Sequence, residues 1–309
     1  MVRKIILLLV VILLLSACEV QTNTGEDPDE QPTGCPYDCH SGSSSIDVTI
    51  DMPSPNTPET YRYVNNNGKI RPEVTLHNNG EADVEFGKVC ISGMSRETFG
   101  FSGCDCQDFT VVVNDPDDPD FWEANVLFNE YIATLIDPDN PESTQITFST
   151  RYDYKTYGVF TACVKADGCT IGDNVLDVSS KGPLTVTEVI EIPSNSDGNY
   201  IDLEFKVGLT ANPASNEWLL SMDDATMGTC DIPTESPEVR VKLYMEELGG
   251  YIDCGIVTIY ANDAQATCKV DNVPLTFDGS YVERESQGYI EVEYGYLKTE
   301  TVEFSVLTS

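Results

Sequence analysis

Apolar residues recur at every second position along most of the chain. Ile46, Val48 and Ile50 alternate with polar residues, as do Val74 with Leu76 and Ile146 with Phe148, and Phe109 leads into Val111 and Val113. In the second half Ile201, Leu203, Phe205, Val207 and Leu209 hold alternate positions. Val239, Val241, Leu243 and Met245 do the same, followed by Ile290, Val292, Tyr294 and Tyr296, then Val302, Phe304 and Val306. A strand turns successive side chains to opposite faces, so this period predicts strands with one buried face. Turn chemistry punctuates them at Asn79-Gly80, Asp167-Gly168, Asp278-Gly279 and several Asp-Pro and Asn-Pro pairs. Only 121–135 has a periodicity that admits a helical turn. The expected fold is all-β, with two β-sandwich domains in tandem. One strand pattern ends before Ser179-Ser180-Lys181-Gly182-Pro183 and another starts at Leu184, which sets the domains at 45–182 and 183–309. Loops at 114–145 and 211–237 take up the surplus length.

The first 44 residues follow a different pattern. Arg3 and Lys4 precede an apolar run from Ile5 to Leu15, and Leu15-Ser16-Ala17-Cys18 ends it. A basic region, a short apolar stretch and small residues at a cleavage point make a secretory signal peptide. The run is shorter than the span of about 20 residues that a transmembrane helix requires. With a cysteine at the junction, the segment resembles the lipobox of prokaryotic lipoproteins. The resemblance implies removal of residues 1–17 and lipidation of Cys18, which anchors the chain to a membrane facing the periplasm or the exterior. Each buried CH₂ of such an anchor contributes about 0.8 kcal/mol. Residues 18–44 are rich in Pro, Gly, Ser, Thr and acids, and read as an acidic flexible tether.

Within the first domain, Arg71-Pro72-Glu73-Val74-Thr75-Leu76-His77-Asn78-Asn79-Gly80-Glu81-Ala82 resembles the strand and Asn-x-Gly turn of CARDB-type domains. These are immunoglobulin-like modules of prokaryotic surface proteins. The likeness extends over roughly 25 residues, through Val89. It implies two immunoglobulin-like sandwiches and a non-catalytic adhesion, spacer or assembly role. The second domain offers a comparable strand at 201–209 but departs at Ala211-Asn212-Pro213-Ala214, where the Asn-x-Gly turn is missing.

The chain carries 52 acidic residues against 17 Lys and Arg. The surplus lies on both predicted domains as well as the tether. Residues 46–182 hold 23 acids and 9 bases, and residues 183–309 hold 23 acids and 6 bases. Such a surface repels nucleic acid and suits an ion-rich exterior. The eleven cysteines leave ten after Cys18, the even number that a disulfide framework needs in an oxidising compartment. Cys163 and Cys169 flank an Asp-Gly turn and form the best local pair, and Cys254 with Cys268 is the best pair of the second domain. Cys104 and Cys106, two apart on a strand, share a face and are expected to bond different partners. Cys90 is their nearest neighbour in sequence, and two thiolates at this spacing also suit a metal. The first domain with its tether holds seven cysteines and the second, with Cys230, holds three. Full pairing therefore needs a bridge between the halves, and the alternative is one free thiol in each.

Other chemistry is sparse. Cys35-Pro-Tyr-Asp-Cys39-His40 has one residue too many between its cysteines for a haem attachment signature and reads as a disulfide candidate. Asp115, Asp117, Asp118 and Asp120 cluster as hard-cation ligands do, so calcium is considered alongside a solvated acidic loop, but prolines interrupt any EF-hand pattern. Asp137, Asp139 and Glu142 pose the same question. No P-loop, G-x-S-x-G or H-E-x-x-H motif occurs, and no enzyme activity is expected. Tyr152, Tyr154 and Tyr157, and separately Tyr289, Tyr294 and Tyr296, form aromatic groups that fit either sandwich cores or a carbohydrate-binding face. The expected role is a lipid-anchored surface protein that binds envelope polysaccharide or another surface protein. Alternatives are the solute-binding lipoprotein of an ABC importer and an exported carbohydrate-active enzyme or its binding module. Replacing Cys18→Ala removes the lipid acceptor and is expected to release the protein from membranes or leave an unprocessed precursor. Membrane fractionation checks this, and a processed, membrane-bound variant contradicts the lipobox reading.

Overall fold

A computed structural model describes residues 46–51, 63–79, 82–101, 103–112, 123–137, 139–164, 174–180, 182–196, 199–245, 250–277, 280–281 and 284–308. These residues form strands almost throughout: β1 (Ile46–Asp51), β2 (Tyr63–Asn65), β3 (Lys69–Ile70), β4 (Glu73–Asn78), β5 (Val84–Ser92), β6 (Asp105–Val111), β7 (Glu123–Leu127), β8 (Tyr131–Ile132) and β9 (Glu142–Val164). The series continues with β10 (Leu176–Ser179), β11 (Leu184–Ser196), β12 (Tyr200–Ala211), β13 (Glu217–Leu220), β14 (Glu238–Met245), β15 (Gly250–Thr258), β16 (Asp263–Pro274), β17 (Thr276–Phe277), β18 (Ser280–Tyr281) and β19 (Arg284–Leu307). The helices among the described residues are single turns, α1 (Arg96–Phe99) and α2 (Met222–Ala225), each capped by a serine side chain. The stretch 121–135 forms strands β7 and β8 rather than a helical turn.

The largest sheet has nine strands in the order β15-β14-β19-β9-β5-β6, with β10 also pairing β9 and both β13 and β2 pairing β19. Its spine is the antiparallel pair β9–β19, in register from Glu142 opposite Val306 to Val164 opposite Arg284. Each of these strands serves two neighbourhoods. The N-terminal part of β9 pairs β5, and its C-terminal part pairs β10. Correspondingly β19 pairs β14 through 288–293 and β13 through 295–298.

Two three-stranded sheets, β1-β4-β7 and β11-β12-β16, lie against opposite ends of this spine. Phe128, just after β7, meets Phe148 of β9 edge-on, with ring centroids 6.4 Å apart. At the other end Phe160 of β9 meets Phe205 of β12 at 5.1 Å. The alternation of β12 is read directly as burial, with Ile201, Leu203, Phe205, Val207 and Leu209 all inside. The structure is therefore all-β and sandwich-like, but the break at Gly182 does not divide the sheet. Strands from both sequence halves share it, because β9 runs on into the second half's neighbourhood and β19 returns into the first's. All described residues belong to one compact unit within 33–309.

The tyrosines expected in two separate groups face one another across the spine. Tyr152 and Tyr296 are 5.1 Å apart, Tyr154 and Tyr294 are 6.0 Å apart, and Tyr157 and Tyr289 are 6.3 Å apart. All six are buried, so they are cross-strand core pairs and leave no face for a carbohydrate. Tyr294 donates its hydroxyl proton to Thr156 Oγ1 at 2.9 Å, and Thr156 in turn donates to the Leu184 carbonyl at 2.9 Å. That chain fixes the end of the linker after Gly182 onto the sheet.

Candidate functional site

The polar face of the sheet near β5 and β6 gathers the groups that have chemistry to offer. The register of β5 against β6 slips between Val84 and Gly87, which makes a bulge at Glu85 and Phe86. Bulges re-aim side chains, and here Phe86 points outward with 61% of its surface exposed. Phe86 lies just beyond the last β5–β9 pair, Gly87 opposite Tyr152, and its N–H donates to the Asp153 side chain of β9 at 2.8 Å. Behind the bulge Gly87 lies against the Phe109 ring, where a Cβ would come within 2.3 Å of it. A glycine is required there for the ring to lie flat on the backbone.

Phe86, Glu85, Lys88, Asp108, Phe109 and Thr226 line a cleft of about 480 Å³. Lys88 forms an ion pair with Asp108 directly across the strands. The far wall belongs to the segment after α2, and Gly228 lies beside the Lys88 stem. The cleft thus combines an exposed aromatic ring, an apolar floor and a few charged and hydroxyl groups, the composition that small-ligand sites share.

Two devices hold that wall in place. Arg151 of β9 is fully buried and donates to the backbone carbonyls of Asp224, at 3.4 Å, and Asp231. Burial pulls its guanidinium pKa down, and Asp224 and Asp231 act in the opposite direction. The second device is the Cys104–Cys230 disulfide, which bridges the two halves across 126 residues. A crosslink closing so long a loop contributes roughly 4–5 kcal/mol in the chain-entropy account. Beside it Cys90 bonds Cys106, its register partner across β5 and β6. Cys104 and Cys106 thus take different partners. The third described disulfide joins Cys254 to Cys268 and ties β15 to β16. Cys163 is disulfide-bonded too, while Cys169, its expected partner, lies outside the described residues, as do Cys18, Cys35, Cys39 and His40.

The acidic candidates separate similarly. Asp115, Asp117, Asp118 and Asp120 lie outside the described residues. Asp137 accepts from the Asp139 N–H at 3.1 Å and the Asn140 amide at 2.7 Å, and Glu142 accepts from the Thr98 hydroxyl at 2.8 Å. Those carboxylates close a turn and brace α1. Elsewhere Glu291 and Glu293 are drawn together by Lys242, at 3.2 Å and 2.6 Å, in an ion network on the second half of the sheet.

Phe86, Lys88, Asp108, Asp153 and Thr226 are not among the residues that alternation or motifs single out. One signal was available for Phe86: the apolar alternation of Val84 and Phe86 changes phase before Val89 and Ile91, and a glycine stands at the change inside a strand pattern, which marks a bulge. Arg151 stands at the head of the Tyr152, Tyr154 and Tyr157 group, which marks it as part of that aromatic cluster.

No protein-family profile and no curated protein matches the chain. Among solved structures, the crystal structure of a DUF4466 family protein from Parabacteroides merdae is similar over 81% of this chain and 98% of that one, at 11% identity and a TM-score of 0.16. A likeness that distant carries no argument about fold or role.

Burial holds the Asp153 carboxyl above its ordinary pKa, against the opposing pull of the Phe86 N–H. The folded state therefore binds this proton more tightly than the unfolded chain. Stability from this group falls as pH rises from the unfolded carboxylate value, about 3.9, to the raised folded value, and is level above it. Asp153→Asn keeps an oxygen for the Phe86 N–H and removes the charge. It is expected to melt no lower than the parent at neutral pH. Asp153→Ala strands the N–H and is expected to cost about 1–3 kcal/mol. Thermal melts across the acid range check both, and equal destabilisation by Asn and Ala contradicts this assignment.

Proposed function

We propose that the protein is an exported, lipid-anchored surface protein that binds carbohydrate without catalysis, through the cleft beside Phe86. The observation that carries the reading is the exposed Phe86 ring, set by the bulge at the mouth of a cleft that also holds the Lys88–Asp108 pair. A sugar presents an apolar ring face and a rim of hydroxyls. The aromatic ring takes the first, and the charged pair and the Thr226 hydroxyl take the second.

The anchor is the Cys18 lipid, and residues 18–44 carry the domain away from the membrane. Disulfides among the described residues suit an oxidising exterior. The binding reading is favoured over an importer's solute-binding lipoprotein because the described residues contain only single-turn helices, whereas that class is built on many amphipathic ones. It is favoured over a glycosidase because Glu291 and Glu293, a close carboxylate pair of the large sheet, are both held by Lys242.

The cleft gives a specific test. Phe86→Ala removes an exposed ring and is expected to leave the melting temperature within a degree or two. It is expected to weaken binding at least tenfold, whichever envelope polysaccharide the parent retains on an immobilised glycan panel. Lys88→Ala is expected to weaken it less. A parent that binds no polysaccharide, or a Phe86→Ala variant that binds as the parent does, contradicts the proposal.

A further inference from the structure

The sulfurs of Cys90, Cys104, Cys106 and Cys230 all lie within 4.8 Å of one another. They are supplied by β5, by β6 with the residue just before it, and by the segment after α2. In the oxidised chain they form two disulfides, and the Cys104 and Cys106 sulfurs of the two bonds are 3.4 Å apart. A metal ion bound tetrahedrally by four thiolates at about 2.3 Å spaces its sulfurs about 3.8 Å apart. The four sulfurs already cluster on that scale, and sulfur ligands select zinc and similar soft or borderline ions over calcium or magnesium.

We propose that Cys90, Cys104, Cys106 and Cys230 form a tetrathiolate zinc site when their two disulfides are reduced. The clamp on the segment after α2 then exists in two mutually exclusive forms, disulfide and metal.

The structure explains how the site stays assembled between those forms. Cys90 and Cys106 face each other in a paired register that does not depend on their bond. Cys230 stays over them because Arg151 holds the Asp224 and Asp231 carbonyls independently of any sulfur. Burial grades across the cluster: Cys90 is buried, Cys106 and Cys230 are partly covered, and Cys104 is exposed. The Cys104–Cys230 bond is thus the one a reductant meets first.

The chemistry balances with one dithiol reductant per bond. Each dithiol attacks through a mixed disulfide and leaves as its own disulfide, and both cysteine sulfurs take up a proton. Two dithiols open both bonds and give four thiols. One Zn²⁺ then displaces the four protons and is held as a tetrathiolate with a net charge of −2.

The test uses the full chain, reduced with a phosphine under inert gas and freed of reductant before Zn²⁺ is added. Native mass spectrometry is expected to find one zinc per reduced chain and none on the oxidised chain. Co²⁺ in place of zinc is expected to give the intense visible bands of a tetrahedral thiolate site. Cys104→Ser with Cys230→Ser is expected to abolish both signals. Cys254→Ser with Cys268→Ser, which opens the other described disulfide, is expected to leave both intact. The proposal is overturned if the reduced parent takes up no metal, if its cobalt spectrum is weak and octahedral, or if removing Cys104 and Cys230 leaves uptake unchanged. The parent's cobalt spectrum decides the matter even if the serine variants fail to fold.

Discussion

The antiparallel pairing of β9 with β19 is the constraint from which the remaining structure follows. Its register runs through 23 residue pairs, and its partners are separated by as many as 164 positions in the chain. Closing a loop of that length costs conformational entropy before any contact repays it. The tyrosine pairs along the spine and the branched residues that flank them supply the return, each as buried area and cross-strand contact. Five other strands of the nine-stranded sheet pair one of these two directly, and β6 and β15 pair β5 and β14 in turn. β5 and β10 take the free edge of β9, and β14, β13 and β2 take that of β19.

A sheet with this spine has two unlike faces. One carries Tyr152, Tyr154, Tyr294 and Tyr296 and packs on the three-stranded sheets, giving a continuous apolar core. The other, near β5 and β6, carries Arg151, Asp153, Lys88 and two disulfides. A cation as deeply buried as Arg151 is costly unless its protons are engaged, so it fixes the backbone carbonyls of the segment that covers it. The cleft is a consequence. Asp153 sets its mouth through Phe86, Arg151 sets its wall, and both stand on β9.

The strands were legible in the sequence because burial on one face imposes period two. That signal gave β1, β4, β12 and β14 with their inward residues. It also separated Cys104 from Cys106, because positions two apart share a face and reach outward to others. It failed for β9 between Phe148 and Phe160, where Thr150, Arg151, Tyr152 and Asp153 are all buried and both faces are covered. Period two also names the face a residue occupies without naming the neighbouring strand. Two tyrosine groups over 130 residues apart therefore read as two clusters, when they are halves of one ladder. For the same reason Gly182 looked like a domain boundary. A pattern does end and restart there, but the chain returns to the same sheet. The cleft was harder still to read, since it depends on a slipped register, a glycine under a ring and the arrival of a loop from the other half.

The central claim is that the two sequence halves form one cooperative unit through β9 and β19. Native-state hydrogen exchange on the mature protein with its disulfides intact tests it most directly. The account predicts that amides of 148–160 and 288–300 are the most protected, and that they share one opening free energy with β5 and with β14. Two sets of protected amides divided at Gly182, with distinct opening free energies, would contradict it.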